Sequence, residues 1–371
     1  MRLLRNFKFD WLIVLPAAVL VLISISVLMA SALAGSTIGV GDVIKQIIYL
    51  MIGIVFVVLL QRFDYRLVTR YHKPFYILTL ILLVLVEVVG TTVFGARRWL
   101  DLGPIQIQPS EFAKLAIILS LGVYFANNYQ NSRRFSFIIK SGLISLPILI
   151  LVLIQPDLGT TLATLIIYII MLASSKFPKK ILLGLMIIGI VLVPAVYPYL
   201  GEYQQHRIEV FVNPDSDPQG IGYNVRQARI AIGSGGLSGQ GINAGSQSQL
   251  NFLPSQHTDF IYSVIGEKLG FVGAMVVLIM ELWIVTRIIW LANYSRERTA
   301  TFLLLGIAGL WFFHSIINIG MNLGLAPVTG LPLPLVSLGG SSLILSLILL
   351  GIVNNIYQRK KQLEKTYAET S

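Results

Sequence analysis

Residues 11–33 read WLIVLPAAVLVLISISVLMASAL, an unbroken apolar stretch without one charged side chain. As a helix it is long enough to cross a bilayer, which takes about 20 predominantly apolar residues. Arg2, Arg5 and Lys8 before it, and Ala32-Leu33-Ala34 before Gly35 after it, imitate a secretory leader with its cleavage site. The stretch exceeds the roughly 7 to 15 residues of a leader's apolar core, so an uncleaved first span is the better reading.

Outward from it, similar runs recur near 43–61, 74–92, 110–129, 137–155, 158–175, 181–200, 260–290, 300–321 and 341–357. The pattern predicts an all-α polytopic membrane protein, a bundle of ten transmembrane helices in one membrane domain over residues 1–371. Its one large loop is 201–258, polar and Gly-rich. The 260–290 run is longer than one crossing needs, which leaves room for an external helix ahead of its membrane portion.

Composition agrees, because 55% hydrophobic against 12% charged residues leaves too little polar surface to wet a soluble globule of this length. Twenty of the 28 Lys and Arg fall in the tails and alternate loops on the side of the N-terminus. The eight opposite are Lys45, Arg97, Arg98, Lys114, Arg207, Arg226, Arg229 and Lys268. The positive-inside rule then puts both termini in the cytoplasm and the 201–258 loop outside. The net charge of +11 is spread over short loops, where it reads as topology and contact with anionic headgroups, not as a nucleic-acid footprint. With no cysteine there is no disulfide, thiolate metal site or cysteine nucleophile.

Polar residues at the outer ends of spans are costly and mark function by default. Four clusters stand at the starts of inward-running spans: Gln108-Pro109-Ser110-Glu111-Phe112-Ala113-Lys114, Gln155-Pro156-Asp157-Leu158-Gly159-Thr160, Gln256-His257-Thr258-Asp259-Phe260 and Gly339-Gly340-Ser341-Ser342. Helix capping accounts for Pro109, Pro156 and Thr258. It does not require Lys114, a cation one turn inside an outward N-terminus, where the helix dipole disfavours it.

The outer face thus offers carboxylates at Glu111, Asp157 and Asp259 and cations at Arg98, Lys114, Arg207, Arg226, Arg229 and Lys268, a set able to hold a diphosphate beside a general base. Glu111 and Lys114, three apart, can pair on one helix, and a self-neutralising pair is the plain alternative to a binding role. A short helix from about Tyr223 to Ile232 would carry Arg226 and Arg229 on one face, where they serve either substrate or mere solvation of the loop. His257 adjoins Asp259, whereas His72, His206 and His314 are scattered. No His, Asp or Glu spacing resembles a metal cage. Ser341 has no recognisable histidine partner for a nucleophilic role. The run Gly233-Ser234-Gly235-Gly236-Leu237-Ser238-Gly239-Gln240-Gly241 lacks the Gly-Lys-Ser/Thr ending of a nucleotide loop and reads as a flexible turn region. Glu87 and Glu281 have no assigned role.

At these residues the chain resembles the SEDS family of cell-wall polymerases, and its elongation branch more than its division branch. The likeness rests on Gly95-Ala96-Arg97-Arg98-Trp99-Leu100-Asp101-Leu102-Gly103, Gln108-Pro109-Ser110-Glu111, Gln155-Pro156-Asp157-Leu158-Gly159-Thr160, Asn251-Phe252-Leu253-Pro254 through His257-Thr258-Asp259-Phe260-Ile261, and Pro327-Val328-Thr329-Gly330 through Gly339-Gly340-Ser341-Ser342. The chain departs from the family pattern at Ser255 and Lys268, where acids are usual, and at Leu338.

The resemblance implies a peptidoglycan glycosyltransferase of the bacterial inner membrane. Such an enzyme polymerises lipid II, the disaccharide-pentapeptide on undecaprenyl diphosphate, into β-1,4-linked glycan on the extracytoplasmic side. It also implies Asp259 as the base, Arg98 and Lys114 on the diphosphate, Glu111 paired with Lys114 and Asp157 in positioning. Arg207, Arg226, Arg229, His257 and Lys268 complete the expected substrate site. The implied partner is a class B penicillin-binding protein transpeptidase. No cofactor is required by the sequence, and a divalent cation, Mg or Mn, bound with the diphosphate is an allowed addition. The rival readings are a lipid II flippase and a non-catalytic scaffold of the elongation machinery.

Overall fold

The computed structural model describes residues 8–93, 96–101, 103, 106–250 and 252–370. Arg2 and Arg5 of the N-terminal tail, Gly95 and Leu102 of the first family motif, and Asn251 lie outside them. In chain order the helices are α1 (Trp11–Leu33), α2 (Val40–Arg62), α3 (Tyr65–Arg70) and α4 (His72–Val89). A small antiparallel sheet of β1 (Thr91–Val93), β2 (Ala96–Asp101) and β3 (Gln106–Ile107) follows, paired in chain order. Then come α5 (Pro109–Asn127), α6 (Phe135–Ile154), α7 (Leu158–Ala173), α8 (Lys179–Val196), α9 (Glu202–Val212), α10 (Ile221–Ser234), α11 (Ser246–Gln249), α12 (Ile261–Asn293), α13 (Arg298–Leu323) and α14 (Gly340–Thr370).

Among the described residues nine helices are long and apolar enough to cross a membrane, and they coincide with nine of the ten expected spans. The remaining one, α7, is apolar but has only 16 residues. The chain is a multi-pass helical membrane protein.

Burial differs sharply between helices, and their sequences say why. α5 is buried nearly all round, its small Ala113, Ala116 and Ser120 letting neighbouring backbones approach closely. α8, a run of Leu, Ile and Val in which only Leu182 is buried, offers apolar surface on nearly every side, as a helix facing lipid does.

The two ends of the bundle are tied separately. At one end, Asn354 and Asn355 of α14 accept from the backbone N–H groups of Asp10 (2.8 Å) and Tyr65 (2.9 Å). Arg287 of α12 pairs with Asp10 at 2.8 Å, and Arg66 forks onto Glu297 with Nη2 at 2.8 Å. These arginines belong to the Lys/Arg-rich side of the predicted topology. At the other end, Ser24 of α1 donates to Val336 O (2.5 Å), while Gln46 of α2 donates to Ser337 O and accepts from the Gly339 N–H, both at 3.1 Å. The largely apolar, Pro-rich loop between α13 and α14 is thereby tied to α1 and α2 at that end.

The Gly-rich run proves to be ordered. α12 breaks at Gly270, whose φ of 68° and ψ of −166° fit glycine alone. The run 235–241 lies across the break: Gln240 and Gly241 donate to the carbonyls of Glu267 and Lys268 (3.0 and 3.1 Å), and Gly236 O and Leu237 O accept from Phe271 and Val272 (2.8 and 3.2 Å). Groups that a helix interruption would leave orphaned are satisfied by the glycine loop. Those N–H groups are therefore consumed by the fold and cradle no phosphate.

Candidate active site

Asp259 lies just ahead of α12, in a turn whose carbonyls are gripped one after another. Leu338 N donates to His257 O (2.8 Å) and Ser337 Oγ to Thr258 O (2.6 Å). Asn318 and Asn322, both on α13, donate to Asp259 O at 3.1 and 3.0 Å. The turn is thus docked on the loop between α13 and α14, with its half-buried carboxylate left to face the site.

Arg207 of α9 faces that carboxylate across Gly330. A Cβ placed on Gly330 would lie 3.6 Å from Asp259 Oδ2 and 3.7 and 3.8 Å from Arg207 Nη2 and Nη1. Gly330 has φ of 73°, which a side chain would strain. The Arg207 guanidinium stacks 4.5 Å over the Tyr203 ring and donates to its hydroxyl, and its buried Nε has no hydrogen-bond partner. Arg98 reaches in from β2, donating to the carbonyls of Gln155 (3.0 Å) and Pro156 (2.5 Å).

Burial pushes the Asp259 carboxyl above its ordinary value, while Arg207, the Thr258 hydroxyl and Arg98 pull it back. A carboxylate of raised basicity beside two guanidiniums can accept a proton while the cations receive developing negative charge. His257 is the reverse case: burial, with the charge of Lys268 adding to it and Asp42 opposing, holds its pKa down to about 4. Its imidazole is therefore neutral near pH 7, with Nε2 3.3 Å from Ser36 Oγ and Nδ1 buried without a partner.

The other expected site residues fall into separate groups. Lys114 is fully buried, 2.6 Å from Glu111 Oε1 and 3.3 Å from His314 Nε2, and His314 Nδ1 lies 3.2 Å from Pro332 O. An ammonium can only donate, so Nε2 is the accepting nitrogen and His314 is a neutral member of this group. Asp157 caps α7 by accepting from Thr160 N (3.1 Å), and it also accepts from Ser110 Oγ of α5 at 3.5 Å. Asp157, not Pro156, is therefore the cap, and Thr258 donates back to Ser255 O within its own turn. Arg226 and Arg229 are exposed on α10, Arg226 pairing with Asp215 at 2.8 Å, outside the Asp259 cluster. Lys268 is buried and donates to Ile242 O (2.8 Å). Ser341 bridges Gln106 O and Gln108 N, tying α14 to β3.

Three residues were missed by sequence reasoning. Asn318 and Asn322 stand four apart inside an apolar span, a spacing that puts both amides on one helix face. Glu267 is buried and accepts from Gln247 N and Ser248 N at 2.8 and 3.0 Å, pinning α11 to α12. Glu281, previously without a role, accepts from Trp311 Nε1 (2.6 Å) and Ser315 Oγ (3.0 Å), and so joins α12 to α13.

The molecule is thus of a definite class, a multi-pass helical membrane protein with an acid and two guanidiniums gathered at one end of its bundle. The chain belongs to the FtsW/RodA/SpoVE family of cell cycle proteins, which it matches over residues 5–362. It is 37% identical over 359 residues, 95% of each chain, to the peptidoglycan glycosyltransferase MrdB of Escherichia coli K12. It is 40% identical over 318 residues to a probable peptidoglycan glycosyltransferase FtsW of Trichlorobacter lovleyi, covering 84% of this chain and 82% of that one. Its fold is similar to a chain from work on the structural coordination of polymerization and crosslinking by a peptidoglycan synthase complex (TM-score 0.81, 32% identity, 95% of this chain and 98% of that one). It is also similar to the rod shape determining protein RodA of Thermus thermophilus (TM-score 0.71, 30% identity, 96% and 98% covered). The chain is a glycosyltransferase of this family.

Proposed function

We propose that the chain polymerises lipid II into β-1,4-linked glycan during cell elongation, with Asp259 as general base. The observation that carries this reading is the Asp259 carboxylate facing Arg207 across Gly330, with Arg98 close enough to act on the same acid. In the step, the acceptor's 4-hydroxyl oxygen attacks the donor's anomeric carbon as the bond to diphosphate breaks. The hydroxyl proton passes to Asp259, and undecaprenyl diphosphate leaves with the bonding pair. One displacement inverts the α-linked donor to a β-linked product and needs one base. The leaving diphosphate needs only cations.

Arg207 and Arg98 supply positive charge nearest the acid. Lys114, enclosed by Glu111 and His314, serves the diphosphate through that pair. Asp157 positions α7 against α5. His257, two residues from the base, stands beside it with the charge of Lys268 acting on its ring, and Arg226 and Arg229 meet substrate approaching over the loop. Among the described residues no three His, Cys, Asp or Glu side chains gather as a ligand set. In this reading Mg or Mn enters with the substrate diphosphate.

The reading carries an orientation. The ten helices, α7 among them, cross the bacterial inner membrane with both termini cytoplasmic and 201–258 outside, because Arg66 and Arg287 collect at the end away from Asp259. It also carries a partner, a class B penicillin-binding protein, consistent with the likeness to a chain of a synthase complex. Against a flippase, the acid and guanidiniums gather at one rim, and mid-span Glu281 is engaged by Trp311 and Ser315.

The test is purified chain with its transpeptidase, supplied with labelled lipid II and assayed for glycan. Polymer from the wild type and none from Asp259→Asn supports the reading. Lipid translocation without polymer would favour transport, and neither activity would favour a scaffold.

A further inference from the structure

The carbonyl of Asp259 is gripped by two side-chain amides, and one of those amides holds a second strand of chain. Asn318 Nδ2 donates to Asp259 O at 3.1 Å and to Leu331 O at 2.8 Å. Leu331 adjoins Gly330, the residue beside whose missing Cβ the acid and Arg207 both lie. One planar amide therefore joins the turn that carries the base to the strand of chain whose glycine lies beside both the base and its guanidinium.

Asn322, one turn on, completes the grip. Its Nδ2 donates to Asp259 O (3.0 Å) and Asn318 O (2.8 Å), and its Oδ1 accepts from the backbone N–H (3.0 Å) and hydroxyl (2.6 Å) of Ser263 in the first turn of α12. The Asp259 carbonyl is taken by α13, and Asn322 takes an N–H of the opening turn, so the helix start is fixed two residues beyond the acid. Both asparagines are fully buried. A buried amide in an apolar bundle is costly unless it is hydrogen-bonded; here Asn322 spends one donor contact on the α13 backbone and the rest on the start of α12, while the Asn318 amide reaches both the Asp259 turn and the Gly330 loop.

We propose that Asn318 and Asn322 are positioning residues for glycosyl transfer: Asn318 sets the separation between Asp259 and the Gly330–Leu331 backbone, and Asn322 fixes the main chain from which the acid projects. The inference rests on Asp259 being the base. Neither amide touches substrate. Their effect passes through the aim of one carboxylate, and misplacing a reacting group by about 1 Å can cost about 10²-fold in rate.

The experiment compares wild type, Asn318→Leu, Ser263→Ala and Asp259→Asn, each purified with the transpeptidase and scaled to folded protein by thermal unfolding. The readouts are kcat, KM for lipid II and the acid limb of the pH–rate profile. For Asn318→Leu the expected result is a kcat lower by about 10- to 100-fold with KM changed by less than about twofold. Its acid limb should also move to lower pH, because a loosened Asp259 escapes the burial that raises its pKa. Ser263→Ala removes only the hydroxyl orienting Asn322 and should show the same changes, smaller. It carries the test should Asn318→Leu fail to fold. Wild-type kcat and acid limb per folded molecule, in Asn318→Leu or in a folded Ser263→Ala, overturn the inference and leave the amides structural. Wild-type polymerisation by Asp259→Asn would instead sink the reading of the base itself.

Discussion

Asp259 and Arg207 confront one another across a residue without a side chain: the Cβ that Gly330 lacks would sit 3.6 Å from the carboxylate and 3.7 Å from the guanidinium. The arrangement keeps an acid and a cation close without a direct ion pair between them among the hydrogen bonds and salt bridges formed. A base locked in a tight salt bridge would be a poor proton acceptor, whereas one that feels the cation through a gap keeps its raised basicity and leaves room for substrate oxygens.

Gly330→Ala tests the gap. The new methyl would make ordinary contact with both groups, and the positive φ adds roughly 1–2 kcal/mol of strain. Glycan synthesis should fall on the order of tenfold or more, with the folded protein still recoverable. Polymerisation assays beside thermal unfolding read the two effects apart, and unchanged synthesis would mean the gap is not used.

Arg207→Gln removes the charge that lowers the Asp259 pKa. Without it that pKa rises further, so the acid limb of the rate profile should move to higher pH and kcat should drop by about 10²-fold. Arg207→Lys retains the charge without the planar fork, and should restore the limb more fully than the rate. A limb that stays put in Arg207→Gln would show that the two groups are not coupled.

The Lys114–Glu111 pair predicts a stability signature. Lys114→Met strands a buried carboxylate and should destabilise by about 3–5 kcal/mol, whereas Lys114→Met with Glu111→Gln should recover much of that loss. Denaturation of the four proteins of the cycle in detergent measures the coupling. Additive losses would contradict a buried pair.

Much of this architecture is legible in the residues. Apolar runs such as 11–33 declare their helices by length alone, and the polar starts at Ser110, Asp157 and Asp259 stand out because polarity is expensive there. The helix read around Arg226 and Arg229 is α10. The partners in space are not legible. Nothing in the local sequence shows that Arg207 and Asp259 meet beside Gly330, since each comes from a different segment. The glycine run reads as flexible because its role, splinting the break at Gly270, depends on a distant helix. Asn318 and Asn322 did carry a local signal, two amides four apart in an apolar span, and it points to the Asp259 turn only once α12 and α13 are seen side by side.

The central claim is tested most directly by the rate of glycan formation from labelled lipid II by Asp259→Asn, measured with the transpeptidase present and compared with wild type across pH. Asparagine keeps the shape and cannot take the proton, so the account predicts a loss of about 10²- to 10⁴-fold. In the wild type, activity should fall as pH drops through a pKa above that of an ordinary aspartate, because a raised pKa means protonation of the base at higher pH. Polymerisation by Asp259→Asn at the wild-type rate, with the same acid limb, would contradict it.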